Sequence, residues 1–175
     1  MEKERNFEAH LIGNTLSSNS KKAYTLSKEG FFGEKKSEKI FYSFSEGLFL
    51  MKNKGMKIIQ NKNPLTETEA SKKFLKIDKR FPIKYKAYEE LRKKGFILKS
   101  AIKYGADFLV YEKGKKPGTS HSSWILSVED SSKNLKIEEF ILKNRVANST
   151  RKRVLLGILD SEGNIIYYEV NWKKI

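Results

Sequence analysis

The chain has 175 residues, which is enough for one domain or for two small ones with a buried core. Its content of 38% hydrophobic and 12% aromatic residues favours a folded protein over a disordered one. Because the chain has no cysteine, disulfide bonds, thiolate metal sites and a thiol nucleophile are excluded.

The formal net charge of +15 is the strongest global signal and indicates a protein that binds a polyanion. A merely solubilising or thermophile-like surface is the alternative explanation. Residues 79–175 carry 21 basic against 11 acidic side chains, whereas residues 1–78 carry 15 against 10. We therefore expect the polyanion to bind mainly to the second half of the chain.

No apolar run approaches the roughly 20 residues that span a bilayer, and the first residues lack the apolar segment of a signal peptide. The sequence therefore predicts a soluble, cytoplasmic protein without a membrane partner.

Alternation and helical spacing predict a small α/β unit in the first half. Thr66 and Glu69 have the spacing of a capping box, which marks the start of a helix. His10 is expected on the surface of the first strand. The predicted elements are a strand at 7–13, a polar turn at 14–20, a strand at 22–28, a turn at 30–33, a strand at 39–44, a helix from 45 to 55, a strand at 57–60 and a helix at 66–76.

Pro82 can end one segment and open the next helix, so we place a domain boundary near residue 80. The domains are then an N-terminal α+β domain, 1–80, and a C-terminal domain, 81–175. The second contains a predicted helix at 83–94, strands at 96–99, 107–112 and 123–128, a helix at 137–144, a basic connection at 145–153, and strands at 154–160 and 165–170 joined by a turn. The predicted fold class is α+β, with a mixed α/β layer in the C-terminal domain.

Two side chains with suitable chemistry flank a lysine-rich loop in this second domain. Tyr111 ends one predicted strand and His121 precedes the next, with Lys113, Lys115 and Lys116 between them. Cleavage of RNA through its own 2′-hydroxyl needs a base, an acid and a cation that holds the charged phosphorane. Histidine suits the acid, and tyrosine suits the base if neighbouring cations lower its pKa from about 10.

Each of these residues also has an ordinary structural explanation. Tyr111 alone is most simply an aromatic residue at the edge of a sheet, and His121 a loop or capping histidine. Lys152, within Arg151-Lys152-Arg153, is most simply part of a solvated basic face. No metal-ligand cluster is apparent, since the two histidines are 111 residues apart and no calcium-loop pattern is present. We expect no metal and no other cofactor.

The spacing of the motifs changes this assessment. The motifs are Lys103-Tyr104-Gly105-Ala106-Asp107-Phe108, Tyr111-Glu112-Lys113-Gly114, His121-Ser122, the segment from Arg145 to Lys152, and Tyr167-Tyr168-Glu169-Val170. Together they closely resemble the catalytic domain of the archaeal tRNA-splicing endonucleases. The first half is also similar, though less specifically, through its Gly30-Phe31-Phe32-Gly33 turn and the helix that follows Ser45.

The resemblance implies a restriction-endonuclease-like catalytic domain in which Tyr111 is the general base, His121 the general acid and Lys152 the cation. It implies that the substrate is an intron-containing precursor tRNA with a bulge–helix–bulge at the exon–intron junctions. The implied products carry a 2′,3′-cyclic phosphate and a 5′-hydroxyl.

It also implies contacts outside the triad. Arg145 matches one of two flat side chains that grip a bulge base, and the second is Tyr167 or Trp172. Lys113, Lys115, Lys116 and Trp172 are expected to contact RNA. Asp160 and Glu162, in the turn between the last two strands, are expected to contact another subunit and to help form a tetramer. The last strand, 165–170, is expected to pair subunits.

Two other functions are consistent with parts of the sequence. A non-catalytic structural or RNA-binding subunit on the same fold is expected to lack Tyr, His or Lys of the triad, and all three are present. A DNA-directed nuclease is expected to carry clustered carboxylates that hold a divalent metal, and the sequence shows no such cluster. The sequence leaves open whether the tetramer is made of identical chains or includes a structural subunit.

Overall fold

The computed structural model of the chain describes residues 6–173 and 175. It divides into two compact units, one ending at Tyr85 and the other beginning at Lys86. The division falls within α4 (Phe81–Lys93). The domain boundary near residue 80 stays a prediction.

The first unit is built on a mixed sheet covered by helices. Its elements are β1 (Phe7–Ile12), β2 (Thr15–Ser18), α1 (Lys21–Gly30), β3 (Glu34–Lys36), β4 (Lys39–Tyr42), α2 (Phe44–Lys54), β5 (Met56–Gln60), β6 (Asn63–Pro64) and α3 (Glu67–Ile77). The strand order is β3-β4-β2-β1-β5-β6, and β1 and β5 are the parallel pair.

The helix α2 is fixed to this sheet by a buried carboxyl group and a glycine. Glu46, only 6% exposed, accepts hydrogen bonds from the backbone N–H of Gly33 at 2.8 Å and of Ser43 at 2.9 Å. The Ser43 hydroxyl accepts in return from the Glu46 N–H at 3.2 Å, which completes a capping box. Gly47 allows close approach, since a Cβ there would lie 2.3 Å from Leu16. Glu46, a member of the capping box of α2, therefore also holds the turn at Gly33 in place.

The predicted capping box at the start of α3 is present. Thr66 and Glu69 satisfy each other's backbone donors at the surface. Further along α3, Phe74 is fully buried and stacks on Phe44 with ring centroids 4.5 Å apart. The edge of the Phe74 ring also meets Phe81, at 5.3 Å. These rings make up much of the core of the first unit.

The second unit contains a five-stranded sheet. Its elements after α4 are β7 (Ile97–Ser100), a 3₁₀ turn (Ile102–Tyr104), β8 (Phe108–Tyr111), β9 (Trp124–Asp130), α5 (Ile137–Ser149), β10 (Arg153–Leu159) and β11 (Ile165–Val170). The strand order is β11-β10-β9-β8-β7, and only the β9–β10 pair is parallel. The observed architecture of mixed sheets and helices confirms the predicted fold class.

Two faces of this sheet carry different helices. On one face, here called the α4 face, Tyr88 packs on Phe108 with ring centroids 5.5 Å apart. On the other face, here called the α5 face, Ala147 of α5 packs on Ile125 and Val154. Phe108 lies on the α4 face, and Ile125 and Val154 lie on the α5 face. Because side chains alternate along a strand, these positions assign every residue of β8, β9 and β10 to one of the two faces.

Three predicted segments differ from the structure. Residues 22–28, predicted as a strand, lie in α1, because Ser20 caps the helix by accepting a hydrogen bond from the Ala23 N–H at 3.2 Å. Residues 145–149, predicted as part of a basic connection, continue α5 as far as Ser149. The predicted polar turn at 14–20 contains β2. None of the helices in the described part of the chain is long and apolar enough to span a membrane.

Replacement of Glu46 by Ala is expected to lower the free energy of unfolding by about 2–3 kcal/mol, because two buried backbone donors lose an acceptor. Urea unfolding followed by circular dichroism measures this loss. Glu69→Ala is the matched control, since it breaks a capping box of the same type at the surface. An equal loss in the two variants would show that the Gly33 contact adds nothing to stability.

Candidate active site

Three chain segments come together at one end of the strands of the second sheet. This end, where β8 stops and β9 and β10 begin, is here called the site edge. β8 is antiparallel to β9, with Val110 opposite Trp124, so the end of β8 lies beside the start of β9. β10 is parallel to β9, with Arg153 opposite Trp124, so β10 starts there too. Tyr111 ends β8 and Lys152 leads into β10 at this same edge, with the start of β9 between them. His121 lies in the loop that enters β9 at the same edge.

Tyr111 is 9% exposed and lies on the α5 face, since it follows Leu109 by two residues. Burial raises the pKa of its phenol above the ordinary value, and the neighbouring Tyr104 raises it further. The expectation that the lysine-rich loop lowers this pKa is therefore wrong for the free protein. Desolvation of the phenolate by burial is the main cause of the raised pKa.

Lys152 is held at the site edge by the turn that follows α5. Arg151 has a positive φ of 55°, and the Lys152 backbone N–H donates to the Ala147 carbonyl at 2.8 Å. Its ammonium donates to the Thr150 carbonyl at 3.0 Å and lies 5.8 Å from the centre of the Tyr104 ring. Lys152 precedes Val154 by two residues, so it shares the α5 face with Tyr111.

His121 is an exposed residue of the loop between β8 and β9. Its imidazole makes no hydrogen bond or ion pair with the residues that the structure describes. The loop closes just after it, where the Ser123 N–H donates to the Val110 carbonyl at 2.9 Å. The imidazole is therefore tethered near the site edge and remains available to a ligand.

The α4 face of the same edge carries a network of charges. The Arg153 guanidinium bridges Glu112 and Glu169, both at 2.8 Å, and stacks 4.7 Å from the centre of the Trp124 ring. The Trp124 indole donates to Glu169 at 2.7 Å. This network joins the ends of β8, β9, β10 and β11.

Hydrogen bonds keep both carboxyl groups of this network ionised. A bond from Lys115, at 2.8 Å, is the main cause of a lowered pKa at Glu112. The bond from Trp124 has the same effect at Glu169. Arg153 adds its charge at both positions. Lys115, predicted to contact RNA, thus has an acidic partner in the protein.

The other predicted RNA contacts are exposed. Arg145 lies on α5, and Lys113 and Lys116 lie in the loop before His121. Trp172 is 65% exposed and lines a pocket of about 370 Å³ together with Lys152. Tyr167, the other choice for a base-gripping residue, is half-buried, so Trp172 is the more accessible of the two.

The turn between β10 and β11 lies at the opposite edge of the sheet. There the Asp160 carboxylate accepts from the Asn164 N–H at 2.7 Å, and Gly163 adopts a positive φ of 85°. Asp160 thus stabilises its own turn, whereas the exposed Glu162 makes no ion pair with the described residues. Of the two predicted subunit contacts, Glu162 is the one with an unused carboxylate.

Side chains of the metal-binding types do not gather anywhere in the described part of the chain: no three of its His, Cys, Asp and Glu residues form a group that could hold an ion. Besides the charge network of the α4 face, the site edge carries the phenol of Tyr111, the imidazole of His121 and the ammonium group of Lys152.

Comparison with known proteins gives the family. Residues 81–167 match the model of the tRNA intron endonuclease catalytic C-terminal domain, and residues 7–70 match that of the N-terminal domain. The chain belongs to the tRNA intron endonuclease family. The catalytic-domain match includes Tyr111, His121 and Lys152, as well as Arg145.

Individual relatives agree with this assignment. A tRNA-splicing endonuclease of Nanoarchaeum equitans is 42% identical over 135 residues, covering 74% of this chain and 86% of the relative. One from Pyrococcus furiosus is 32% identical over 168 residues, covering 95% and 96%. One from Sulfurisphaera tokodaii is 32% identical over 172 residues, covering 91% and 94%. The similarity to family members thus extends over both units.

Sequence reasoning missed one neighbour of the site. Tyr104 appears in the quoted Lys-Tyr-Gly segment, but no role was assigned to it. It contacts Lys152 and influences Tyr111. The signal in the sequence was the Tyr104-Gly105 pair, because glycine after an aromatic residue is typical of a tight turn. In the structure Gly105 has a positive φ of 67°.

Arg153→Ala is expected to lower the melting temperature by roughly 2–4 °C, because it removes the group that links four strand ends. The effect is modest because the ion pairs are partly exposed and screened by water. The stacking on Trp124 makes part of the loss insensitive to salt. Calorimetry at low and high salt measures both components.

Lys36→Ala is the control for this experiment, since it removes an isolated surface ion pair with Glu34. That variant should melt with the wild type. Equal melting of Arg153→Ala and wild type at low salt would contradict a stabilising role for the network.

Proposed function

We propose that this protein is an endoribonuclease that excises introns from precursor tRNA at bulge–helix–bulge junctions and works in the cytoplasm without a metal ion. The observation that carries the proposal is the meeting of Tyr111, His121 and Lys152 at the site edge of a family catalytic domain. The products are proposed to be a 2′,3′-cyclic phosphate and a 5′-hydroxyl.

In the proposed reaction the RNA supplies its own nucleophile. Tyr111, as phenolate, takes the proton of the 2′-hydroxyl, whose oxygen then bonds to the adjacent phosphorus. The bond from phosphorus to the 5′-oxygen breaks, and His121 gives that oxygen a proton. Lys152 stabilises the extra negative charge of the phosphorane between these events. No external reactant is consumed.

The positions of the three groups support these roles. Tyr111 and Lys152 share the α5 face, so a base and a cation can act on one phosphate. His121 lies on a loop, so it can approach the leaving oxygen from another direction. An ammonium without a carboxylate partner among the described residues keeps its full charge for the phosphorane.

Exposed cations and an aromatic residue around the site support RNA binding. Lys113, Lys116 and Arg145 are exposed and suited to phosphates or base faces. Trp172 has an exposed ring for stacking on a base. Lys115 is proposed to contact RNA as well, although it must share its charge with Glu112.

Assembly into a tetramer, of identical chains or with a structural subunit, is part of the proposal. β11 is an edge strand of its sheet and exposes Ile166 and Tyr168. An edge of this kind favours pairing with a second copy. Glu162 is proposed to dock on a basic surface of another subunit, with Asp160 holding the turn in shape. A substrate with two scissile bonds requires two active sites.

The second candidate is a non-catalytic subunit of the same assembly, favoured by the high pKa of Tyr111, which leaves little phenolate at neutral pH. It is distinguished from the first by cleavage.

The protein is expected to cleave a bulge–helix–bulge RNA in EDTA, because base, acid and cation are all side chains. A 2′-deoxy nucleotide at the scissile position should abolish cleavage, because the nucleophile is missing. Gel analysis of labelled RNA, with phosphatase and kinase treatment of the ends, measures both. Cleavage of the deoxy substrate would contradict the mechanism.

His121→Ala is the matched variant for that assay. It should bind the RNA like the wild type, since no described residue depends on the imidazole, and its cleavage should fall by about 10²–10⁴-fold. A wild-type rate in this variant would remove His121 from the mechanism. RNA binding without cleavage by the wild type, tested also with partner subunits present, would favour the non-catalytic subunit.

The pH dependence should reflect the raised pKa of Tyr111. A rate that requires a deprotonated base and a protonated acid is level between their two pKa values, because the phenolate fraction grows as the fraction of protonated acid falls. It declines only above the pKa of Tyr111, which lies above the ordinary tyrosine value of about 10. The single-turnover rate should therefore not fall between about pH 7.5 and 9.5. A decline centred near pH 8 would contradict this behaviour.

A further inference from the structure

Tyr104 is a rigidly held aromatic residue beside the site. It ends the 3₁₀ turn, where its backbone N–H donates to the Ala101 carbonyl at 2.8 Å and Gly105 follows with a φ of 67°. Its half-buried side chain packs against the cluster of Ile125, Ala147 and Val154. The ring is thus fixed by the core of the domain and not by the site itself.

Among the residues that the structure describes, the Lys152 ammonium has a hydrogen-bond partner and an aromatic neighbour, and neither is an acid. The ammonium donates to the Thr150 carbonyl at 3.0 Å and lies 5.8 Å from the centre of the Tyr104 ring. A lysine side chain loses much of its rotamer freedom when it is held in one position. A carboxylate would hold it, but would also neutralise it and compete with a phosphate. A ring face restricts the ammonium and leaves its charge intact.

We propose that the ring of Tyr104 positions the Lys152 ammonium for the charged phosphorane, which makes Tyr104 a positioning residue of the reaction. The inference rests on the proposed function, because it assigns the cation role to Lys152. The ring keeps its contact when the ammonium leaves the Thr150 carbonyl for a phosphate oxygen. Tyr104 also raises the pKa of Tyr111 electrostatically, which is consistent with a position near both proposed catalytic side chains.

The test compares Tyr104→Leu with Tyr104→Phe at single turnover on the bulge–helix–bulge RNA. The Leu variant keeps apolar packing and loses the ring, so the rate at saturating enzyme should fall about 3- to 30-fold. The enzyme concentration that gives half the maximal rate should not change, because ground-state binding is unaffected. The Phe variant keeps the ring face and should restore the rate to within about threefold.

Val146→Ala is the matched control for packing. Val146 packs on the same cluster as Tyr104 and has no ring that could hold the Lys152 ammonium, so its truncation should lower the melting temperature without slowing cleavage. A rate loss in Val146→Ala equal to that in Tyr104→Leu would overturn the inference, since packing alone would explain both. Tyr104→Met, which keeps the bulk of the side chain, replaces the Leu variant if the latter unfolds at the assay temperature.

A double-mutant cycle links the effect to Lys152. In the Lys152→Ala background, followed for days so that slow cleavage stays measurable, Tyr104→Leu should cause no further loss. An equal loss in both backgrounds, or a wild-type rate for Tyr104→Leu, would overturn the inference alone. A wild-type rate for Lys152→Ala would overturn the proposed site and this inference with it.

Discussion

The register of β9 with its two neighbours is the constraint on which the proposed site depends. Trp124 lies opposite Val110 of the antiparallel β8 and opposite Arg153 of the parallel β10. This mixed pairing brings one strand end and two strand beginnings together at one edge. A register shift of one residue would move Tyr111 or Lys152 to the other face. The positions of Tyr111 and Lys152 in the proposed site therefore follow from the pairing of the strands and do not depend on side-chain contacts.

Alternation along the strands then separates two kinds of electrostatics. On the α4 face, Arg153 is neutralised by two carboxylates and serves to join strand ends. On the α5 face, one residue earlier in the chain, Lys152 has a carbonyl and an aromatic ring as partners. A cation can stabilise a transient negative charge well only if no carboxylate of the protein already neutralises the cation. In the proposed mechanism, these two adjacent residues of one basic segment thus have different tasks, because their side chains point to opposite faces.

Much of this could be predicted from the sequence. The strands near Tyr111 and Trp124 follow from alternation, and the capping box at Thr66 from its spacing. The strand predicted at 22–28 was wrong because a cap, Ser20, outweighed weak alternation. The end of α5 was misplaced because its last turn contains Asn148 and Ser149, which are common in loops, and a basic run follows it. The pKa of Tyr111 could not be predicted, since it depends on burial by residues distant in sequence.

Burial of Tyr111 has a further consequence for how the proposed site would work. A phenol with a raised pKa is a strong base once ionised, but it is rarely ionised in the free protein. The protein thus carries a neutral phenol and an ammonium without a carboxylate partner among the described residues. Neither group brings a negative charge to the site before RNA binds. The negative charge enters with the RNA phosphate, and the reacting groups need fixed positions more than shifted pKa values. The ring of Tyr104, which we propose to position Lys152, would provide such a fixed position, because it packs on the core and consumes none of the lysine's charge.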